Sequence, residues 1–365
     1  MKEKSERKIL VLYTGGTIGM HREAEKGPLK PGTAEDLQKN IPELEDLPYN
    51  IEWQEFRKDG EFIDSSNADV EYYNQLAKEL GKAQEKYDGI VVVFGTDTMA
   101  PSAGSISYML EGLKKPIVFT GSMIPAIDEG SDGPKNLIDA IHVAAKSGNE
   151  IPAINEVTIC FHGKLERGVK ARKYSASDVD AFDTEDGTPP LATIDENGDI
   201  EVKADMLLTP PSEDSELKIN ELKINKETEI GPLNIYSPWP EPYENFVNKF
   251  SNCKALLLFG GRFYNDPRQQ AVEQYAKPDQ IIIYAHENPP NPKWIELKGI
   301  GDFQQAMAKI KYVLSRTTDP DEVRALLEGN LRGENDEPRR FETEILREIQ
   351  KETFEPSRLD RGRMK

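Results

Sequence analysis

Along the first half of the chain, short apolar runs alternate with stretches in which apolar residues recur at helical spacing. The strand candidates are residues 9–13, 51–56, 89–94, 116–120 and 157–161. A run such as Ile90-Val91-Val92-Val93-Phe94 places apolar side chains on both faces of the pleat, which predicts a strand covered on both sides. Between the runs, Val70, Tyr73, Leu76, Ala77 and Leu80 fall on one helical face. So do Ala103, Ile106, Met109, Leu110 and Leu113, and again Leu137, Ile138, Ile141 and Ala145. Strand, turn and helix in repeated alternation predict an α/β architecture, a mostly parallel sheet with helices packed on it.

The pattern changes over residues 184–232, which are rich in Pro, Asp, Glu and Lys, carry an acidic cluster at 212–216 and lack sustained periodicity. This reads as a connecting region with some exposed strand. A smaller α/β unit is expected beyond it, with strands near 233–236, 255–259 and 280–284. Its helices would bury Tyr243, Phe246, Val247 and Phe250, then Phe303, Ala306, Met307, Ile310, Val313 and Leu314. The expected organisation is a larger N-terminal catalytic domain over 1–190, a connecting region over 191–232 and a smaller C-terminal α/β domain over 233–335. Residues 336–365 form a charged tail with a helical stretch around 341–349.

A chain of 365 residues suits two such domains, each with its own core. Its 65 acidic against 46 basic residues, a formal charge of -19, speak against a grip on nucleic-acid phosphates or an anionic membrane. No apolar stretch approaches membrane-spanning length and the start is charged, so a cytoplasmic protein is expected. Cys160 and Cys253 each lie in an apolar run and read as reduced core thiols. The histidines His21, His142, His162 and His286 show none of the short spacings of a metal site, so no metal is expected.

In an open parallel sheet the chemistry sits at the carboxyl ends of the strands, and three of those turns are rich in hydroxyls and glycine. The first, Thr14-Gly15-Gly16-Thr17-Ile18-Gly19, offers a threonine nucleophile beside glycines that let a ligand approach the backbone. It lacks the Gly-Lys-Ser/Thr ending of a triphosphate loop and the glycine spacing of a dinucleotide site. The second, Gly95-Thr96-Asp97-Thr98-Met99, sets a hydroxyl beside a carboxylate; the competing explanation is helix capping. In the third, Thr120-Gly121-Ser122-Met123-Ile124-Pro125, Gly121 and Ser122 read as pocket lining. A serine hydrolase elbow is not supplied by Ala103-Gly104-Ser105-Ile106-Ser107.

Taken in order, these turns resemble the asparaginase family: 14–19 its first signature and 95–99 its second. The resemblance continues through Ile63-Asp64-Ser65-Ser66, Asp132-Gly133 and Asp180-Ala181-Phe182. Met20 and the Asn330-Leu331-Arg332-Gly333-Glu334 run look like the cytosolic type I branch. The resemblance implies an amidohydrolase acting on a small-molecule amino-acid substrate, without cofactor, and a homodimer or homotetramer. It implies Thr14 as nucleophile, a second group of Thr96, Asp97 and Lys173, and substrate contacts from Asp64, Ser65, Gly95 and Ser122. Lys173 would act as a base if burial kept its amine neutral. Two departures stand out. The loop Glu25-Lys26-Gly27-Pro28-Leu29-Lys30-Pro31 lacks the tyrosine that family members commonly carry there. The short, proline-rich segment 286–299 replaces a long glycine-rich one, leaving Glu287, Gln304 and Gln305 as nearby polar residues.

Overall fold

The unbroken apolar runs become the interior of an eight-stranded sheet. In the computed structural model, residues 5–22, 28–223, 229–234, 242–260, 267–285, 288–300, 302–335 and 340–354 are described. The expected loop positions Glu25, Lys26 and Gly27, and likewise Tyr236, His286 and Glu287, lie outside them.

The strands are β1 (Lys8–Tyr13), β2 (Asn50–Glu55), β3 (Gly89–Val93), β4 (Ile117–Thr120), β5 (Val157–Phe161) and β6 (Lys164–Arg167). The ribbon strands β7 (Ala171–Lys173) and β8 (Phe182–Thr184) follow, then β9 (Ala192–Ile194) and β10 (Ile200–Val202). The sheet order is β10-β9-β6-β5-β4-β3-β1-β2, with β1 to β5 parallel and β6, β9 and β10 joined antiparallel. Every residue of β3 is buried, as expected of a strand with helices on both faces, while the edge strand β2 alternates exposed and half-buried positions. The segment read as a connector therefore extends this sheet: β9 turns Ala192 and Ile194 inward and Thr193 outward.

Order matters for chemistry. From β1 the chain goes to β2 on one side and from β3 to β4 on the other, so the connections diverge and leave a crevice at the carboxyl ends of β1 and β3. Helices α2 (Val70–Lys86), α3 (Thr96–Met109) and α4 (Gly133–Lys146) pack on the sheet, and α1 (Ala34–Asn40) starts at a capping box formed by Thr33 and Asp36. By contacts the chain divides into two units, 1–222 with 301–309, and 223–300 with 310–365. The second unit holds a parallel four-stranded sheet: β11 (Ile230–Asn234), β12 (Ala255–Phe259), β13 (Ile281–Tyr284) and β14 (Ile295–Glu296). Leu233, Leu256, Leu258, Val272, Tyr284 and Trp294 form its core. The Asn330 to Glu334 run is a buried turn here: Glu334 Oε1 accepts from Leu331 N at 2.9 Å, Glu334 Oε2 from Arg332 N at 2.6 Å, and Asn330 Oδ1 from Gly333 N at 2.7 Å. Among the described residues no helix is long and apolar enough to cross a membrane.

Glu166 on β6 is buried, and among the described residues its Oε2 has no hydrogen-bond partner. Burial pushes its carboxyl up to about 7, with Lys164 opposing and Asp183 and Asp180 reinforcing the shift. The folded value lies above the unfolded one, so the neutral carboxyl contributes fully below the unfolded value and that contribution is lost as pH rises through about 7. Glu166→Gln is therefore expected to match the parent protein near pH 4 and to exceed it by about 3 kcal/mol at pH 8. Denaturant unfolding at the two pH values checks this; equal stability at both would mean that the Glu166 carboxyl is not held neutral by the fold.

Candidate active site

The crevice brings the first two glycine-rich turns together. Thr14 follows β1 and is buried; its backbone N–H donates to Val93 O at 3.1 Å and its Oγ1 to the same oxygen at 2.8 Å. Gly15 and Gly16 take φ values of 105° and 97°, conformations that strongly favour glycine. Gly16 also needs its missing side chain for space, because a Cβ there would stand 2.9 Å from Gly95 N. The two turns thus meet backbone to backbone. Ser65 comes to the same place: its Oγ would lie 2.7 Å from a Cβ on Gly95.

Gly95 is the N-cap of α3 and no side chain caps that helix. Capping is thus not what occupies Thr96 and Asp97. Thr96 is the first helical residue, buried, and its Oγ1 accepts from Lys173 Nζ at 2.8 Å; Asp97 Oδ1 accepts from the same Nζ at 2.6 Å. The pair is lopsided, with the Lys173 side chain 12% exposed and that of Asp97 77% exposed. The carboxylate faces water, while the amine is held between it and a buried hydroxyl. An uncapped helix start also leaves a positive dipole end directed at this end of the crevice.

Lys173 is presented by the ribbon β7–β8, in which it pairs with Phe182. The Phe182 ring packs 4.8 Å from that of Phe161, the last residue of β5, which ties the ribbon to the sheet. Asp180 beside it pairs with Lys164 at 2.7 Å. Behind the ribbon lies a residue that no sequence motif assigns to this position. Gln305 is buried, and its Nε2 faces the backbone oxygens of Ala171 at 2.7 Å, Ala100 at 2.9 Å and Gly168 at 2.9 Å. It bolts the strand carrying Lys173 to the helix carrying Thr96 and Asp97. Gly104 permits the approach, since a Cβ there would stand 2.0 Å from Gln305 Oε1.

Asp64 and Ser122 are placed differently. Asp64 is exposed and its Oδ1 accepts from Ser66 N at 2.9 Å, so it caps the short helical turn Ser65–Asn67. Ser122 is buried and donates to Ile124 O at 2.6 Å, closing its own turn rather than offering a free hydroxyl. Asp132 organises the same loop by accepting from Met123 N and Ile124 N, each at 3.0 Å. Tyr72 of α2, which no motif marks, is buried, its ring edge-on to Phe56 and Phe94. Among the described residues there is no cluster of His, Cys, Asp and Glu suited to a metal ion.

Residues 8–207 match the family model described as Asparaginase, N-terminal. The chain is 31% identical to L-asparaginase 1 of Escherichia coli strain K12, over 92% of this chain and 98% of that one. It is 30% identical to a glutamyl-tRNA(Gln) amidotransferase component of Methanopyrus kandleri, over 89% of this chain and 74% of that one. Among solved structures, L-asparaginase I of Vibrio cholerae superposes with a TM-score of 0.73 at 29% identity, covering 91% of this chain and all of that one (100%).

Proposed function

Since the chain belongs to the asparaginase family, we propose that it hydrolyses the side-chain amide of L-asparagine to L-aspartate and ammonia, with Thr14 as the nucleophile. The observation that carries this reading is the pairing of Lys173 Nζ with Thr96 Oγ1 and Asp97 Oδ1 beside the turn that holds Thr14. A threonine hydroxyl is a weak nucleophile until its proton has somewhere to go, and hydroxyl, amine and carboxylate in series supply a hydrogen-bonded route.

Acylation and deacylation divide the reaction. Thr14 Oγ1 attacks the amide carbon and gives up its proton; the carbon–nitrogen bond breaks and the nitrogen leaves as ammonia, having gained that proton. Water, losing a proton along the Thr96–Lys173–Asp97 route, then attacks the aspartyl ester and restores the Thr14 hydroxyl. Thr14 N–H is engaged with Val93 O, so oxyanion stabilisation falls to neighbouring amides of the two glycine-rich turns and the uncapped start of α3. Asp64, Ser65 and Asp97 are proposed to receive the α-amino and α-carboxylate ends of the substrate.

The test is ammonia release by purified protein offered L-asparagine, L-glutamine and D-asparagine. Release from L-asparagine well above the other two is expected. Release from L-glutamine alone would change the substrate assigned, and no release from any of them by folded protein would remove the reading.

A further inference from the structure

We infer that Gln305 is a positioning residue for the reaction: its carboxamide nitrogen fixes the spacing between strand β7 and helix α3, and with it the place of the Lys173 amine between Thr96 and Asp97. The inference rests on the proposed role of Lys173 in proton transfer. Strand β7 is three residues long and belongs to a two-stranded ribbon, which on its own holds together poorly in water. Lys173 Nζ nevertheless meets Thr96 Oγ1 at 2.8 Å and Asp97 Oδ1 at 2.6 Å. Such contacts need the strand held at a set distance from α3 by something outside the ribbon.

The amide reaches both elements at once. Its Nε2 donates to Ala171 O at 2.7 Å, two residues before Lys173 on β7, and to Gly168 O at 2.9 Å in the turn that leads into β7. It also donates to Ala100 O at 2.9 Å, one turn beyond Thr96 on α3. All three partners are acceptors, so only the nitrogen can face them, and its two hydrogens are shared among three oxygens. The residue is 1% exposed, and its backbone N–H donates to Asp302 Oδ1 at 2.9 Å at the start of the helix Phe303–Arg316. Among the described residues Oε1 accepts no hydrogen bond. A buried acceptor left in this way costs stability, which favours a role in geometry over one in stability alone.

Gln305→Met keeps the length and removes the donor. With L-asparagine, kcat is expected to fall roughly 10- to 100-fold while KM stays within about threefold, because groups displaced by about 1 Å lose the alignment that proton transfer requires. In the Lys173→Met background the same change should alter kcat by less than about twofold, since a residue acting through Lys173 then has nothing to position. Asn74→Leu is the control for stability: Asn74 is buried and joins α2 to the Leu222 backbone through bonds of 3.0 and 2.8 Å, and its loss should leave kcat within about twofold. A Gln305→Met kcat equal to the parent's, a loss that persists in full without Lys173, or a loss matched by Asn74→Leu overturns the inference. Should Gln305→Met not fold, Gly104→Ala takes its place. A Cβ there would stand 2.0 Å from Gln305 Oε1 and push the amide off its carbonyls, so the same fall in kcat is expected and an unchanged kcat counts against the inference. Labelling with acetic anhydride gives a second readout. Relative to the exposed Lys82, Lys173 should be acetylated at least about fivefold faster in Gln305→Met than in the parent, while the shielded Lys58 keeps its rate. Equal acetylation of Lys173, or a rise shared by Lys58, overturns the inference whatever the turnover. If the parent protein turns over no amide, the proposed function fails by itself and this labelling alone decides on Gln305.

Discussion

Replacing Lys173 by methionine is expected to lower ammonia release from L-asparagine by about a thousandfold and to leave the fold in place. The two effects separate because of where the side chain sits. Its stem is enclosed, at 12% exposure, and methionine supplies a similar apolar length. The charge it abandons, Asp97, is 77% exposed and can be hydrated, so the stability cost should stay near about 1 kcal/mol. Function has no such substitute. Without Nζ, Thr96 Oγ1 loses the donor at 2.8 Å and Asp97 the one at 2.6 Å, and the proposed route for the proton is cut in the middle. General acid–base contributions of this kind span about two to four orders of magnitude. The checks are kcat with L-asparagine, calorimetric binding of L-aspartate and the unfolding temperature. A rate within about tenfold of the parent's, in folded protein, would exclude Lys173 from the proton route.

The sheet was readable in the sequence where burial is two-sided. Ile90-Val91-Val92-Val93-Phe94 has no polar position to confuse its period, and β3 lies where that run predicts, one residue short of Phe94. The hydroxyl and glycine turns were readable too, because a strand end in a parallel sheet leaves few explanations for Thr14-Gly15-Gly16 or Gly95-Thr96-Asp97. Strands β9 and β10 were harder. Each is three residues long, and the clue between them was Asn197-Gly198, with Gly198 at φ 82°, a common hairpin signal that charge-rich surroundings obscured. Gln305 was legible only as a polar residue beside the segment 286–299; its place behind Lys173 was not, because its carbonyl partners lie 134 to 205 residues away in sequence and no local pattern encodes such a meeting. Ser122 carries a second task that its sequence context does not show, for the turn itself takes its hydrogen.

Thr14→Ala should have the largest effect on turnover. The backbone N–H to Val93 O bond survives the change, and the lost hydroxyl bond to the same oxygen is worth about 1 kcal/mol, so the turn should keep its shape. Gly15 and Gly16 are untouched, and with them the contact to Gly95 that sets the two turns together. L-aspartate should therefore still bind, within a few-fold of the parent's affinity. What disappears is the only atom of the residue able to form an ester, and a rate loss of at least about a thousandfold is expected. The most direct measurement is ammonia release from L-asparagine by the parent protein and by Thr14→Ala side by side, with L-aspartate binding confirmed in both. Steady release by the parent and none above background by the variant is predicted; release by the variant at a comparable rate would contradict a threonine nucleophile.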